Sequence, residues 1–242
     1  MTFPFWMYLF VAQKLPSLSS LFANSEDGDE WIMEKPYLFT KSSGGVINSV
    51  TTTGDLVFRA TGLHNGLNFE QDDPNKRPAY MEGGGLSWIR TDKVDDGLDL
   101  AIQFNGSRWS FAMSYTPDGG NFILMSLTGN SSPWAGVGQS GSANLNLLHL
   151  SLTQNAIYFG NSLSAATTRD GQYDLAQAAN TVLLDFTSSS NWASNRLGRY
   201  GNPSNFNDPG DVHSVVLINR ALTTAERNLV HQKQSEQAGV AA

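Results

Sequence analysis

The chain of 242 residues contains no cysteine, so it forms no disulfide and has neither a thiolate zinc site nor a cysteine nucleophile. Charge is also scarce: Asp, Glu, Lys and Arg make up 15% of the residues, against about 25% in an average soluble domain. The 15 Lys and Arg against 22 Asp and Glu give a formal net charge of −7. Because the sum is acidic and no basic run occurs, the sequence lacks the features of a nucleic-acid-binding protein.

Long apolar runs are missing as well. The most apolar stretch, residues 3–12, has about ten residues, where a membrane-spanning helix needs roughly twenty. The first lysine, Lys14, follows this stretch instead of preceding it, which argues against a signal peptide. We expect a buried strand here, with an atypical signal sequence or a partner-contact segment as alternatives. The contact residues would then be the aromatic ones, Phe3, Phe5, Trp6, Tyr8 and Phe10.

In place of charge, the chain is rich in Gly, Ser, Thr and Asn, which are common in turns and on polar sheet faces. Its hydrophobic content of 40% is sufficient for a globular core and too high for a disordered chain. The clearest element is residues 108–116. Trp109, Phe111, Met113 and Tyr115 alternate there with small residues, the period-two pattern of a half-buried antiparallel strand.

Turn residues separate this strand from its neighbours. Asn105-Gly106 between residues 98–104 and 108–116 predicts a hairpin, because both turn residues tolerate positive φ. A Pro-Asp-Gly-Gly turn then leads into residues 121–127, so we expect a three-stranded meander. Further candidate strands are residues 145–152, 156–160, 181–186 and 212–219. So many short strands predict an all-β fold, an antiparallel β-sandwich or jelly roll.

One short helix is predicted, at the C-terminus. Thr223 and Glu226 form a capping-box pattern, Leu229 and Val230 supply an apolar face, and Gly239 follows. We expect a single domain over residues 1–236, with an N-terminal apolar strand and loop over residues 1–35 and a frayed tail at 237–242. Strand assignment between residues 165 and 195 stays open.

Four stretches of the sequence, taken in order, resemble one known family. They are residues 5–6 with 18–24, 75–80 with 94–98, 196–198 and 210–227, of which the last is the most specific. Together they are similar to concanavalin A-like, laminin-G-like jelly-roll domains. The resemblance is to the versions found in phage virion proteins of the tail, fibre or capsid and in bacterial surface and carbohydrate-binding proteins.

This resemblance implies a non-enzymatic virion or extracellular-surface protein with a structural or adhesive role and a lectin-like sandwich. It would contact other assembly subunits, including copies of itself, and could take a glycan. The alternatives are a stand-alone carbohydrate-binding module and a glycan hydrolase or depolymerase. The enzyme is disfavoured, because glycosidases need two carboxylates facing one cleft, and the sequence has no strand with such a pair. It also has no nucleophile elbow and no P-loop.

Aromatic residues in polar loops are the candidate ligand site. A sugar offers a patch of C–H bonds and a ring of hydroxyl groups, which suits flat aromatic rings beside amide side chains. Trp134 lies in one such loop, and Trp192 lies in another with Asn191, Asn195 and Tyr200 nearby. Packing at the ends of the sandwich is the alternative role for these rings.

Acidic residues suggest at most a calcium site. Asp95, Asp96 and Asp99 could supply oxygen ligands, although turn formation explains them equally. Residues 26–30 carry four carboxylates, and we expect them to form a solvated loop. The four histidines show no spacing typical of a zinc site. No cofactor other than calcium is suggested.

Overall fold

The computed structural model describes residues 17–92, 96–100, 108–117, 122–127, 134–137, 152–166, 169–188, 195–197 and 210–240. The strands are, in chain order, β1 (Gly28–Ile32), β2 (Leu38–Lys41), β3 (Ile47–Ser49), β4 (Arg59–Thr61), β5 (Asn68–Glu70), β6 (Ala79–Gly83), β7 (Leu86–Arg90), β8 (Leu98–Leu100), β9 (Arg108–Thr116), β10 (Phe122–Leu127), β11 (Trp134–Val137), β12 (Leu152–Phe159), β13 (Ser162–Leu163), β14 (Thr181–Ser188), β15 (Asn195–Leu197) and β16 (Asp211–Ile218). The helices are α1 (Arg169–Ala178) and α2 (Thr224–Gln237), with short 3₁₀ turns at Ser19–Phe22, Lys35–Tyr37 and Pro74–Lys76.

These strands form two antiparallel sheets of eight strands each. Sheet A has the order β13-β12-β14-β9-β16-β7-β6, and β1 also pairs with β16; sheet B has the order β11-β10-β15-β8-β5-β4-β2-β3. A core of buried side chains from both sheets lies between them. The predicted all-β sandwich is therefore confirmed, and its architecture is compatible with a jelly roll. No helix among the described residues is both long and apolar enough to cross a membrane.

The large side chains of strand β9 share one face as predicted, but the strand is buried on both faces and is not half-buried. Trp109, Phe111, Met113 and Tyr115 all belong to the core between the sheets, and all are at most 2% exposed. Ala112 points to the opposite face of sheet A and joins a second cluster there. Each large side chain buried in this way stabilises the fold by roughly 1.5–3 kcal/mol.

The outer face of sheet A is covered by α2 and by the turn at Ser19–Phe22. Leu21 from that turn and Val230 from the helix pack with strand residues in the second cluster. The helix begins as the sequence predicts: Thr223 Oγ1 accepts a hydrogen bond from the Glu226 backbone N–H at 3.3 Å, and Glu226 Oε2 accepts from the Thr223 N–H at 2.7 Å. Gly239 follows the helix with a φ of 72°.

The predicted three-stranded meander is wrong, because the described parts of its three strands do not pair with one another. β8 pairs with β5 and β15 in sheet B, β9 pairs with β14 and β16 in sheet A, and β10 returns to sheet B beside β11 and β15. Consecutive strands thus alternate between the sheets. The period of a strand sets which face is apolar, but it carries no information about which strand lies alongside.

A second helix, α1, was not predicted and lies in the region left open between residues 165 and 195. Its sequence contains Gly171, an unfavourable residue inside a helix. Tertiary contacts hold it nonetheless. Ala176 is fully buried in the core, and its carbonyl accepts a hydrogen bond from the Tyr115 hydroxyl at 2.8 Å. Gln172 donates to the Ala166 carbonyl at 2.8 Å.

Candidate functional site

Strand β16 has two different neighbours along one of its edges. β1 pairs with the C-terminal part of β16, as far as Ile32 opposite Ser214. β7 pairs with the N-terminal part, as far as Ile89 opposite Val212. His213 lies between the two pairings, at the point where β1 and β7 separate. We call this point the fork.

A β-bulge in β16 lies at the same position. On the other edge of β16, Val212 pairs with Tyr115 and Ser214 pairs with Ser114, so His213 has no partner residue on β9. Bulges redirect side chains and occur frequently beside functional sites. The interrupted pairing on both edges gives His213 an orientation that a regular strand would not provide.

The His213 side chain is buried, with 4% of the residue exposed. Its Nε2 lies 2.9 Å from Thr116 Oγ1, and its backbone carbonyl accepts from the Met33 N–H at 3.1 Å. Nδ1 makes no hydrogen bond of good geometry with the described residues. Burial lowers the pKa of His213, while a hydrogen bond of the ring with the Ser87 backbone, of poor geometry, and the Asp211 charge oppose this shift. The ring is therefore neutral at pH 7, with one donor and one acceptor nitrogen.

A cavity of about 160 Å³ lies between the fork and the C-terminal end of α2. Its lining residues are Ile32, Met33, Glu34, Gly85, Leu86, Ser87, His213, Glu236 and Gln237. A second cavity of about 440 Å³ shares Glu34 and the β6–β7 turn with the first and adds Lys35, Pro36, Tyr80, Glu82 and Gly83. We call the two cavities together the fork cleft. The larger one falls within the roughly 300–1,000 Å³ of small-molecule sites.

Residues around the smaller cavity include polar atoms that are closed to solvent and lack a partner. They are Glu236 Oε2 and both side-chain amide atoms of Gln237, which make no hydrogen bond of good geometry with the described residues. Each such atom costs about 1–3 kcal/mol when nothing binds it. Folded proteins keep few such atoms.

The larger cavity contains a partly exposed ion pair. Lys35 Nζ lies 2.8 Å from Glu82 Oε2, and the Tyr80 hydroxyl donates to the same oxygen at 3.0 Å. The hydrogen bond from Lys35, with that from Tyr80, lowers the pKa of Glu82. Burial, together with Glu82, raises the pKa of Tyr80 to about 12. The Glu82 carboxylate is thus ionised and already paired with Lys35. Glu34, in contrast, has no ion-pair partner among the described residues.

The acidic residues 26–30 form the predicted solvated loop only at their start, where Asp27 is exposed. Gly28–Ile32 is strand β1, buried along its whole length. The Asp29 carboxylate accepts hydrogen bonds from the backbone N–H groups of Glu30, His64, Asn65 and Leu67 at 2.7–3.0 Å. It therefore anchors the loop after β4, which explains why a charged residue is buried here.

Glu30 and His64 form an enclosed pair beside this loop. Glu30 Oε2 lies 3.0 Å from His64 Nε2, and the Phe22 ring stacks on the imidazole with 4.5 Å between centroids. Only 3% of the Glu30 side chain and 14% of the His64 side chain are exposed. The pair joins β1 to the loop after β4, and Phe22 from the turn at Ser19–Phe22 packs on its imidazole.

The calcium prediction is left open. Asp95 lies outside the described residues. Asp96 accepts a hydrogen bond from the Asp92 N–H at 2.8 Å, which braces the turn. Asp99 lies in β8, opposite Glu70. Among the residues that the structure describes, no group of three or more His, Asp or Glu side chains could hold a metal ion.

Only part of the predicted ligand loops lies within the residues that the structure describes. Trp192, Asn191 and Tyr200 lie outside the described residues. Trp134 and Asn195 are the first residues of β11 and β15, opposite Ser126 and Leu127 on the two sides of β10. The starts of both strands therefore meet at one end of sheet B, as a shared site would need, and the ligand prediction stays a prediction.

The predicted N-terminal contact residues also fall outside the described part of the chain. They are Phe3, Phe5, Trp6, Tyr8 and Phe10.

Sequence reasoning did not find the fork cleft. The one local indication is the pair His213-Ser214, which interrupts an otherwise apolar strand. The cleft itself needs β1, the β6–β7 turn and the end of α2, which lie far apart in the chain.

Comparison of the chain with protein-family models and with curated proteins gives no match. The concanavalin A-like resemblance is thus supported only as far as the antiparallel sandwich.

Proposed function

We propose that this protein is a non-enzymatic surface or virion adhesion protein that binds a glycan in the fork cleft. The observation that carries the proposal is the polar lining of the fork cleft, where acidic, amide, hydroxyl and imidazole side chains meet. Around the smaller cavity, Gln237 has a donor and an acceptor, Glu236 has acceptors, and the neutral His213 ring has one donor and one acceptor nitrogen.

Sugar hydroxyl groups suit such a mixture, because each one donates one hydrogen bond and accepts two. The side chains involved lie on a strand and a helix, which hold them more firmly than loops do.

The family resemblance suggests where the protein acts. Similarity to laminin-G-like proteins of phage particles and bacterial surfaces favours a role in a virion or at an extracellular surface. There the protein would associate with assembly subunits, including copies of itself. The aromatic loops around Trp134 and Trp192 stay candidates for a second contact with the glycan.

A glycan hydrolase is less well supported by the cleft. Its general acid would need a carboxyl group with a raised pKa. The pKa of Glu82 is instead lowered, because Lys35 and Tyr80 donate hydrogen bonds to its carboxylate. Release of reducing sugar from a bound glycan would favour the enzyme over the binder.

A glycan array followed by calorimetric titration of the best ligand tests the proposal. Gln237→Ala removes one donor and one acceptor from the cleft and should weaken binding about tenfold, equivalent to 1.4 kcal/mol. Asn228→Ala changes an exposed residue of the same helix outside the cleft and should leave the affinity unchanged. Equal affinities for both variants would place any binding elsewhere, and an array without binding would refute the proposal.

A further inference from the structure

Strand β3 is the last strand at one edge of sheet B and is open to solvent. It pairs with β2 on one side, and all three of its residues are exposed. The exposure is continuous, because every residue from 42 to 49 is exposed. The strand at the other edge of this sheet, β11, has contacts with α1. β3 is therefore an open edge at which a further strand can pair.

The pairing of β3 with β2 determines which backbone groups point away from the sheet. The Val50 N–H, just after β3, donates to the Leu38 carbonyl at 3.0 Å. Hydrogen-bonded pairs in an antiparallel ladder recur at every second residue, so the backbone groups of Asn48 also point towards β2. Ile47 and Ser49 therefore direct their N–H and C=O groups outwards, to the open edge.

This edge lacks the features that normally prevent sheet edges from pairing. Natural edge strands carry lysine, proline or a bulge, which block the approach of another strand. Residues 42–54 contain no charged residue and no proline, although the chain as a whole has a net charge of −7. The pairing of β2 with β3 is also regular, without a bulge. Two copies of this edge can therefore meet without like charges facing each other.

The edge is also complementary to itself. A twofold axis at Asn48 places Ile47 of each copy opposite Ser49 of the other. Because both residues direct their backbone groups outwards, this register forms four main-chain hydrogen bonds. The two Asn48 residues then face each other as a non-hydrogen-bonded pair, with about 4.5 Å between their Cα atoms. An amide contains both donor and acceptor, so these two side chains complement each other.

Exposed apolar side chains flank this centre. Val46 is 59% exposed and Ile47 is 41% exposed. In the same register, Val46 of one copy lies opposite Val50 of the other, which belongs to the core between the sheets. Pairing would thus extend each core over an apolar residue that is otherwise in water. An extended peptide of another sequence would use the backbone groups but would not supply this match of side chains.

We propose that β3 is the contact surface between two copies of this protein. The two strands pair antiparallel about Asn48 and join the two sheets B into one continuous sheet. This inference rests on the proposed function only for the association between copies, and it does not depend on glycan binding. Because the contact is confined to one short strand, we expect a reversible dimer and not a permanent one.

Opposite charges at one position test the pairing. Sedimentation velocity at low salt, over a range of concentrations, should show the wild type in equilibrium between monomer and dimer. Asn48→Asp and Asn48→Lys each place like charges opposite each other, so each variant alone should weaken the dimer about tenfold. An equimolar mixture of the two should restore the dimer. Asn161→Asp, the same change at an exposed turn of sheet A, is the matched control and should sediment as the wild type does.

Cysteine cross-linking tests the register. The chain has no cysteine of its own, so Asn48→Cys introduces a single thiol, at an exposed residue. A Cα separation of about 4.5 Å lies within the range that a disulfide spans. Mild oxidation should therefore convert Asn48→Cys into a covalent dimer at least tenfold faster than Asn161→Cys at the same concentration.

The possible results separate this inference from glycan binding. A wild type that stays monomeric at every concentration would overturn the inference and leave the edge to an extended peptide of another protein. A dimer that persists unchanged in Asn48→Asp and Asn48→Lys, or equal cross-linking rates at positions 48 and 161, would also overturn it. None of these results affects the cleft. A protein that dimerises through β3 but binds no glycan on the array would refute the proposed glycan binding alone.

Discussion

Replacing Asp29 by Asn should lower the free energy of unfolding by about 3 kcal/mol. In the native protein Asp29 Oδ1 accepts from the backbone N–H groups of Glu30 and His64, and Oδ2 accepts from those of Asn65 and Leu67. The amide side chain keeps one oxygen, which satisfies two of these donors. Its NH₂ group would face the other two, so two N–H groups lose their acceptor.

The magnitude follows from those two donors. A buried donor left without a partner costs about 1–3 kcal/mol, so two of them cost roughly 2–6 kcal/mol, and relaxation of the loop favours the lower half of that range. There is little room for a rearrangement close by, because a Cβ atom at Gly62 would collide with the Asp29 carboxylate. A loss of about 3 kcal/mol is a large part of the 5–15 kcal/mol typical of a domain.

Urea denaturation followed by tryptophan fluorescence measures this loss. Trp31 lies in the same strand and donates from Nε1 to the Leu67 carbonyl at 2.9 Å, so its emission reports on the loop. Asp27→Asn, at an exposed position of the same acidic stretch, is the control and should change stability by less than about 0.5 kcal/mol. A stability of Asp29→Asn within 0.5 kcal/mol of the wild type would refute the assigned role of the carboxylate.

Two further predictions concern stability. Hydrogen bonds from Arg220 lower the pKa of Glu226 to about 2. The ionised carboxylate therefore stabilises the fold fully above the pKa of Glu226 in the unfolded chain, and this stabilisation is lost as the pH falls towards 2. Glu226→Gln should therefore cost about 1–2 kcal/mol at pH 7 after allowance for solvent screening, and equal urea midpoints of variant and wild type at pH 7 would contradict this. Leu217→Ala, in the core, should lower the free energy of unfolding by about 2–5 kcal/mol in thermal or urea unfolding. Leu163→Ala, at a residue that is 62% exposed, is the control and should be nearly neutral. Similar losses for both variants would show that the core is assigned wrongly.

Local patterns predicted those parts of the fold that depend on a few neighbouring residues. The faces of β9 follow from strict alternation, and the start of α2 follows from Thr223 and Glu226, which interact across a single helical turn. The all-β class follows from repeated short strands and turns. In contrast, α1 was missed because its stability comes from contacts such as Tyr115 with Ala176, which are distant in sequence.

The candidate site was less accessible to sequence reasoning. The acidic stretch at residues 26–30 has the composition of a solvated loop, and only the folded chain brings the N–H groups of residues 64–67 to Asp29. Likewise, Glu34 and Glu236 come from opposite ends of the chain and share a cavity only because β1 and α2 pack around the fork.

The sequence by itself determined that cysteine chemistry is impossible, that the net charge is negative and that the chain forms an antiparallel sandwich with a C-terminal helix. Composition and short-range periodicity are enough for this, because they depend on side-chain type and spacing alone. Tertiary structure decided which strands pair, which carboxylates are buried and where a cleft opens. Those outcomes depend on contacts between residues far apart in the chain, such as β1 with β16, and no local pattern encodes them.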